Sequence, residues 1–390
     1  MNKKYINYLL AIFFLLAFLP TICLAQNEEE ILPENLGSSP VATDVKEVFF
    51  KAEVIEIIEE KEITQANGSK IIGQKIKLRG LEGEFKDKEI IYDGINESIN
   101  YSAKNTYHKG DKVSVSKQTI NGADSYSIID YIRSDKIYWL LALFALSILL
   151  IGKWQGLRSL LGLAFSFFVI LKFIIPGILA GKDPLSTTIF YALIIIVFST
   201  YLIYGLNKKS NIAIIGTFLG LLIVGLLSLL FTKLMHLSGI SGEETMFIVE
   251  IMKNSVNLKG LMLSGFIIGA LGVLDDITVS QASTVIEIQK ANPDLGGKEI
   301  FKRAMRVGID HISSMVNTLF LAYAGAFLPL LILFNIKQPP FMTFSQVINN
   351  EIIATEVIRT LVGSIGLAVA VPITTLIAAY IVKKYYGETI

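Results

Sequence analysis

The sequence has little cysteine and little histidine, and neither sign of charge is in excess. Its one cysteine, Cys23, can form neither an internal disulfide nor a cysteine-based zinc or iron–sulfur centre. With three histidines in 390 residues, a histidine-rich metal site is not expected either. Thirty-five lysines and arginines against 34 acidic residues leave a net charge of +1, so no broad basic field favours binding to nucleic acid.

The sequence also lacks the short motifs of common enzymes. It contains no Gly-x-Ser-x-Gly, no His-Glu-x-x-His and no phosphate-binding loop. An intramembrane aspartyl protease needs two aspartates that face each other from different helices, which the neighbours Asp275 and Asp276 cannot do. We therefore expect no enzymatic activity and no cofactor.

Apolar residues are what the sequence has in excess. Hydrophobic residues make up 52% and charged residues 18% of the chain, against about 25% charged residues in an ordinary soluble domain. The mean hydropathy is +0.56. This composition excludes a disordered chain and predicts a membrane protein with one sizeable polar part.

The N-terminus has the pattern of a secretory signal peptide. Two lysines precede an apolar run, and small residues lead to a cleavage point after Ala25. An uncut membrane helix is the alternative, because the apolar run can be extended at both ends. We assign 1–25 to this signal peptide or anchor and 26–43 to a polar linker.

Residues 44–135 hold a large share of the charge and have the pattern of a small β domain. Apolar and polar residues alternate over 75–79 and 113–116, and about five short strands fit in this region. Asn121-Gly122 suits a tight hairpin turn. Five short strands predict a small closed barrel of the OB type, which hides the strand edges. Because no aromatic and basic stripe accompanies the strands, we interpret the domain as an extracytoplasmic spacer or docking domain.

Residues 136–390 predict a bundle of membrane helices, so the fold class is mainly α. Most of its apolar segments have nearly the 20 or so residues that cross a bilayer. The seven segments are 137–152, 160–180, 187–206, 212–232, 261–280, 312–334 and 357–382. Eleven lysines and arginines on the predicted inner side against six on the outer side place 26–135 outside and the C-terminus in the cytoplasm. We thus expect a multi-pass protein of the cell membrane.

Shorter patterns refine the helical part. Ser241-x-x-Glu244 and Thr343-x-x-Gln346 each precede an apolar stretch, and this capping-box pattern predicts a helix start. Gly216-x-x-x-Gly220 predicts close helix packing. Glu356 and Arg359 are spaced as an i,i+3 ion pair.

The most unusual feature is a pair of adjacent aspartates, Asp275 and Asp276, inside an apolar segment. A carboxylate near the bilayer centre costs about 2.5–3.5 kcal/mol on insertion scales. At 1.5 Å per residue, Asp275 and Asn317 would each lie about 9 Å from the inner end of their helices, at one level. The candidate substrate- or ion-binding residues are Asp275, Asp276, Ser280, Gln281, Arg306, Asp310, His311 and Asn317.

Two interpretations of the aspartate pair remain open. In one, the carboxylates lie at the inner interface and cap the helical loop beneath them. In the other, they line a polar cavity that opens to the cytoplasm. The two side chains point about 100° apart on a helix, so both cannot face one salt bridge, and at least one needs water, an ion or another helix.

Two long stretches of sequence resemble a known family. The decapeptide at 272–281, Gly-Val-Leu-Asp-Asp-Ile-Thr-Val-Ser-Gln, and the segment 304–325 closely resemble the YibE/F-like family of bacterial membrane proteins. The segments 359–366 and 371–375 look like the last helix of that family. The resemblance covers nearly the whole chain after the signal and implies a polytopic protein with an N-terminal extracytoplasmic domain. It implies no particular activity.

Two functions from different classes fit these patterns. The first is a secondary permease for a small solute or ion, with Asp275 or Asp276 carrying a coupled proton. The second is a non-transporting scaffold of the cell envelope, whose outer β domain recruits a protein partner. The expected partners are the lipid bilayer, an unidentified small solute or ion, and an envelope protein; nucleic acid is not among them.

Overall fold

The computed structural model describes residues 46–64, 70–95, 106–120, 123–252, 256–339 and 341–386. The predicted signal or anchor, the linker over 26–43 and the Asn121-Gly122 turn lie outside the described residues. The chain divides into two compact units, with the boundary between Ile137 and Tyr138.

The first unit is one antiparallel sheet with the order β3-β2-β1-β4-β5. Its strands are β1 (Lys46–Thr64), β2 (Lys70–Gly80), β3 (Glu89–Asp93), β4 (Lys112–Ile120) and β5 (Ala123–Tyr131). The prediction of about five short strands is therefore confirmed, although β1 is longer than expected.

Alternation along the strands builds the core of the sheet. Phe50, Ala52 and Val54 of β1 are buried on one face, together with alternate residues of β2 and β4. Phe50 stacks on Phe85, with ring centroids 4.1 Å apart. Phe85 belongs to a 3₁₀ turn at Gly83–Phe85 and covers the core at the end of β2. Period-two burial therefore explains the strands, as the sequence predicts.

The predicted closed barrel is not formed by the described strands. No hydrogen-bonded ladder joins the two edge strands, β3 and β5, although parts of them lie within 8 Å of each other at their Cα atoms. β3 has only five residues, and all five pair with β2. The sheet thus curls toward closure, helped by two register shifts in β1 that increase twist, but it remains open between β3 and β5.

The second unit is helical. The helices are α1 (Ser134–Leu179), whose first residues precede the boundary, α2 (Pro184–Tyr204), α3 (Lys208–Leu234), α4 (Glu243–Met252), α5 (Leu258–Ala291), α6 (Gly297–Ala326), α7 (Leu328–Ile336), α8 (Phe344–Ile348) and α9 (Glu351–Tyr386). Five of these helices, α1, α2, α3, α5 and α9, are long and apolar enough to cross a membrane. The pair α6 and α7 is bent by 67° and makes a sixth candidate if the two count as one span.

The predicted number of seven membrane helices is wrong for the described residues, which give five or six. The first two predicted segments count as one helix, α1, although the chain is kinked between them at Lys153. Lys153 has non-helical angles of φ 47° and ψ −124°. The sixth predicted segment bends at Phe327, where α6 ends and a helix with Pro329 in its first turn begins.

Helices α3, α5 and α9 form the centre of the bundle. Leu274 of α5 is fully buried, and Val224 of α3 and Val362 of α9 pack in the same core. An added Cβ at Gly220 would lie 2.9 Å from Leu274 Cδ2. The predicted close packing through Gly216-x-x-x-Gly220 is therefore present, since a larger residue at Gly220 would push α3 away from α5.

Side-chain caps set where the helices start. Thr343 and Gln346 form the predicted capping box of α8. Near Ser241 the helix start differs, because Thr245 Oγ1 accepts hydrogen bonds from the backbone N–H groups of Ser241 and Gly242.

Asp183 caps α2, and hydrogen bonds from the backbone N–H and hydroxyl of Ser186 hold the pKa of this carboxyl below its usual value.

Candidate functional site

Two linked caps set the register of the helices that carry the candidate site. Asn257 caps α5, and its Nδ2 also donates to Asp183 Oδ1 at 3.4 Å, at the start of α2. Asp183 lies 17 residues before Thr200, and Asn257 lies 18 residues before Asp275. These separations correspond to about 26 Å along α2 and about 27 Å along α5. The two parallel helices therefore bring Thr200 and Asp275 to the same level.

Asp275 is the acidic residue that other helices contact. The hydroxyl of Thr200 donates to Asp275 Oδ1 at 3.3 Å, and Thr200 itself is fully buried. Helix α5 continues without interruption through Asp275. The carboxylate therefore has one hydroxyl donor inside an apolar bundle and no unwound backbone around it.

A chain of hydroxyl groups continues from Asp275 into the bundle. Thr278 Oγ1 lies 3.2 Å from the backbone carbonyl oxygen of Asp275, to which it can donate. The hydroxyls of Thr278 and Thr217 are 2.7 Å apart, and both side chains are fully buried. This threonine chain joins α2, α5 and α3 through Thr200, Asp275, Thr278 and Thr217.

Gln281 extends the same polar layer toward α6 and α9. Its Nε2 donates to the Ala304 carbonyl at 2.9 Å and to Thr375 Oγ1 at 2.7 Å. Its buried Oε1 has no hydrogen-bond partner among the described residues. A Cβ on Gly308 would lie 3.1 Å from Gln281 Nε2, so the amide sits directly against α6.

Asp276 has different surroundings from Asp275. It is exposed in the isolated chain and accepts no hydrogen bond from the described residues. The separation of about 100° between neighbouring helix positions accounts for the difference. The two carboxylates therefore face different environments, and only Asp275 joins the threonine chain.

The structure gathers only part of the predicted set of site residues. Ser280 Oγ lies 3.4 Å from His311 Nδ1, which links α5 to α6. Arg306, Asp310 and Asn317 lie on the exposed face of α6. They form no ion pair or hydrogen bond with Asp275 in the part of the chain that the structure describes.

The site also contains residues that the sequence pattern did not single out. Thr200, Thr217 and Thr375 each place one hydroxyl in an apolar helix, at the level of Asp275 or Gln281. A threonine in a membrane helix can also bond to the carbonyl one turn earlier, as Thr375 does with Val371 at 2.7 Å. A single threonine in an apolar segment therefore does not indicate a functional site until its neighbours in space are known.

A second polar group lies nearer to the starts of α5 and α9. Arg359 Nη1 and Glu356 Oε1 are 2.9 Å apart, which confirms the expected i,i+3 pair. The guanidinium lies 5.3 Å from the ring centroid of Phe266 on α5. The described residues contain no group of three or more His, Cys, Asp or Glu side chains that could hold a metal ion.

These features define a multi-helix membrane protein that carries a small N-terminal β sheet and a carboxylate inside its helical bundle. The model of the family described as YibE/F-like protein matches residues 140–384, which include α2 to α7 and the candidate site. The chain therefore belongs to the YibE/F-like family. No curated protein and no solved structure matches the chain.

Proposed function

We propose that this protein is a secondary permease, which moves a small solute or ion across the cell membrane and couples its movement to protons through Asp275. The observation that carries the proposal is the position of Asp275 in an uninterrupted apolar helix, with the Thr200 hydroxyl as its hydrogen-bond donor. A protein that transports no solute has no evident need to keep a carboxylate inside the membrane, because inserting one costs about 2.5–3.5 kcal/mol.

The surroundings of Asp275 suit a proton better than a metal cation. A cation site in a transporter commonly uses backbone carbonyls freed where a membrane helix is unwound. Helix α5 is regular at Asp275, so its carbonyls stay within the helix. Protonation removes the charge from an apolar environment, whereas the Thr200 hydroxyl stabilises the ionised form. Asp275 can thus exist in both states, which a proton carrier requires.

The proposal includes an orientation and an OB-like, partly open β domain. Lysine and arginine placement supports a β domain outside the cell membrane and a cytoplasmic C-terminus. The curled sheet, with β3 and β5 close together at its edges, supports an OB-type domain that is partly open.

The second candidate function is an envelope scaffold, and one feature of the β domain favours it. The β1–β2 ribbon continues past the core, with Lys61 to Thr64 paired to Gly73 to Lys70. Most of its side chains are exposed, and several carry charge. A two-stranded ribbon of this kind offers a surface for a protein partner.

Transport assays with reconstituted protein test the proposal. Proteoliposomes that contain a pH-sensitive dye would be screened with small solutes for solute-driven proton entry. We expect Asp275→Asn to abolish this signal, because asparagine keeps the size of the side chain but cannot carry a proton. Asp276→Asn is the matched control and should retain more of the signal. Full activity in both variants would overturn the permease mechanism and favour the scaffold.

A further inference from the structure

Helix α6 turns small residues toward the bundle and polar residues away from it. Ala304 and Gly308 are buried, and a Cβ on Gly308 would lie 2.6 Å from Val371 Cγ1 of α9. The open face of α6 carries five exposed polar residues, Arg306, Asp310, Ser313, Ser314 and Asn317. Arg306, Asp310 and Asn317 form no hydrogen bond or ion pair with the described residues. These three side chains therefore lack a partner from any other element that the structure describes.

The open face extends into an apolar segment. Residues 311–336 contain no Asp, Glu, Lys or Arg, and α6 and α7 together are apolar enough to form one bent membrane span. Asn317 lies six residues inside this segment, or about 9 Å along the helix. Lipid offers an amide no hydrogen-bond partner, and an unpaired polar group in hydrocarbon costs free energy. We therefore expect another polar surface to cover this face of α6.

The spacing of the exposed positions is that of a helix that packs on a parallel helix of the same kind. Along the open face, intervals of three and four residues alternate through the exposed positions 303, 306, 310, 313, 317, 320 and 324. A repeat of this kind keeps two parallel helices in contact over several turns. Asn317 holds one position of the repeat. A single asparagine at such a position favours pairing in one register.

The charges on the open face are complementary to those of a second copy. Arg306 and Asp310 have opposite charges and lie one turn apart, or about 6 Å along the helix. Copies of a membrane protein insert in the same orientation, so a two-fold axis along the membrane normal makes their α6 helices parallel. Each Arg306 then lies within reach of the Asp310 of the other copy. Asn317 can pair with the same residue of the other copy, because an amide both donates and accepts hydrogen bonds.

We propose that this protein forms a homodimer in the membrane, in which the open faces of two α6 helices pack together through Arg306, Asp310 and Asn317. The inference does not depend on transport, because the contact is separate from Asp275 and its hydrogen bond with Thr200 on α2. A different protein partner would not require opposite charges on this one face. A water-filled groove would not require the seven-residue repeat.

Cysteine cross-linking of the full-length protein in native membranes tests the contact. In a Cys23→Ser background, Ser313→Cys places one thiol on the open face. Ser147→Cys is the matched control, because Ser147 is an exposed serine of α1. We expect oxidation to link the Ser313→Cys variant into a dimer that a reducing agent separates, and to leave the control monomeric. Equal cross-linking of both variants, or none of Ser313→Cys, would overturn the proposal.

Reversal of single charges tests whether Arg306 and Asp310 pair between copies. Arg306→Asp makes both positions acidic and Asp310→Arg makes both basic, so each variant alone should dimerise about tenfold more weakly than the wild type. Produced together with different tags, the two variants should purify as one heterodimer, since an acidic face then meets a basic face. Lys259→Asp is the control, because Lys259 is exposed at the start of α5 and should leave dimerisation unchanged. Wild-type dimerisation of both single variants, or no heterodimer, would reject this interface.

Asn317→Leu tests the part of the contact that lies within the apolar segment. Energy transfer between labelled copies in liposomes measures the dimerisation constant, which should fall about three- to tenfold. In lipid, leucine gains nothing from leaving water, whereas the hydrogen bond between the amides is lost. An unchanged or stronger dimer would contradict the proposal.

One more comparison separates the dimer from the permease mechanism. Asp275→Asn should dimerise like the wild type. A wild-type protein that is monomeric in liposomes, or that pairs there only with a different protein, would reject the dimer and leave the permease in place. A dimer in which Asp275→Asn retains full proton-coupled transport would keep the dimer and reject the permease mechanism.

Discussion

Asp275 and Asp276 are identical residues at neighbouring positions, yet they have different environments. Asp275 accepts a hydrogen bond from Thr200 and lies beside a chain of buried hydroxyls. Asp276 is exposed in the isolated chain. Because a helix turns by about 100° per residue, one side chain faces the bundle and the other faces away.

This difference gives a prediction for stability. Asp275→Asn removes a half-buried charge and keeps the size of the side chain, so the thermal unfolding temperature should be unchanged or higher. Asp276→Asn should change it less, since Asp276 has less protein around it. Unfolding temperatures of purified variants in detergent check both. A marked loss of stability in Asp275→Asn would mean that the carboxylate is a structural cap and not a proton carrier.

The Thr217 and Thr278 pair gives a second prediction at this scale. Thr278→Val leaves the buried Thr217 hydroxyl without this partner and should cost about 1 kcal/mol of unfolding free energy. Thr217→Val should have a similar effect. The double variant should cost less than the sum, because no orphaned hydroxyl remains. A double-mutant cycle measured by unfolding in mixed micelles checks this, and strictly additive costs would contradict a direct hydrogen bond.

At the scale of elements, α1 is too long for a single upright crossing. Its 46 residues would extend about 69 Å as a straight helix, against a hydrocarbon core of about 30 Å. In a straight helix, Ile148 and Gly156 would lie about 12 Å apart along the axis. A Cβ on Gly156 would nevertheless clash with the carbonyl of Ile148, so the two residues are in direct contact. The chain therefore bends sharply at Lys153, between two apolar lengths.

The bend predicts an unusual effect of glycine. Lys153 has a positive φ of 47°, which glycine adopts without steric cost. Lys153→Gly should therefore leave stability unchanged or raise it. Lys302→Gly is the control, because Lys302 is exposed in the interior of helix α6 and the same change should cost about 1 kcal/mol there. Thermal unfolding of the two variants tests the prediction, and an equal loss in both would argue against the bend.

At the scale of the whole molecule, the number of crossings decides on which side each end lies. An outer β domain and a cytoplasmic C-terminus require an odd number of crossings. The described helices allow six if α1 crosses once and the bent pair α6 and α7 crosses together. Two crossings by α1, with Lys153 at the turn, would make the number seven.

A topology experiment distinguishes these numbers. We expect a reporter fused after Gly387 to be cytoplasmic and one inserted near Asn67 to be extracytoplasmic, since eleven basic residues on the predicted inner side exceed six on the outer side. A third reporter at Lys153 should be cytoplasmic. If the first two reporters were on the same side, α1 would cross once and the orientation from charge would be wrong.

The sequence by itself determined the parts of this protein that depend on local patterns. Alternation over 113–116 identified a strand, apolar length identified membrane helices, and Thr343-x-x-Gln346 identified a helix start, because each pattern acts within one element. The 272–281 motif also led to the correct family.

Only the tertiary structure decided which polar groups meet. The linked caps Asp183 and Asn257 align α2 with α5, and this alignment brings Thr200 to Asp275 and leaves Asn317 apart. The rotation and register of one helix against another depend on packing across the bundle, which periodicity within a single segment does not contain.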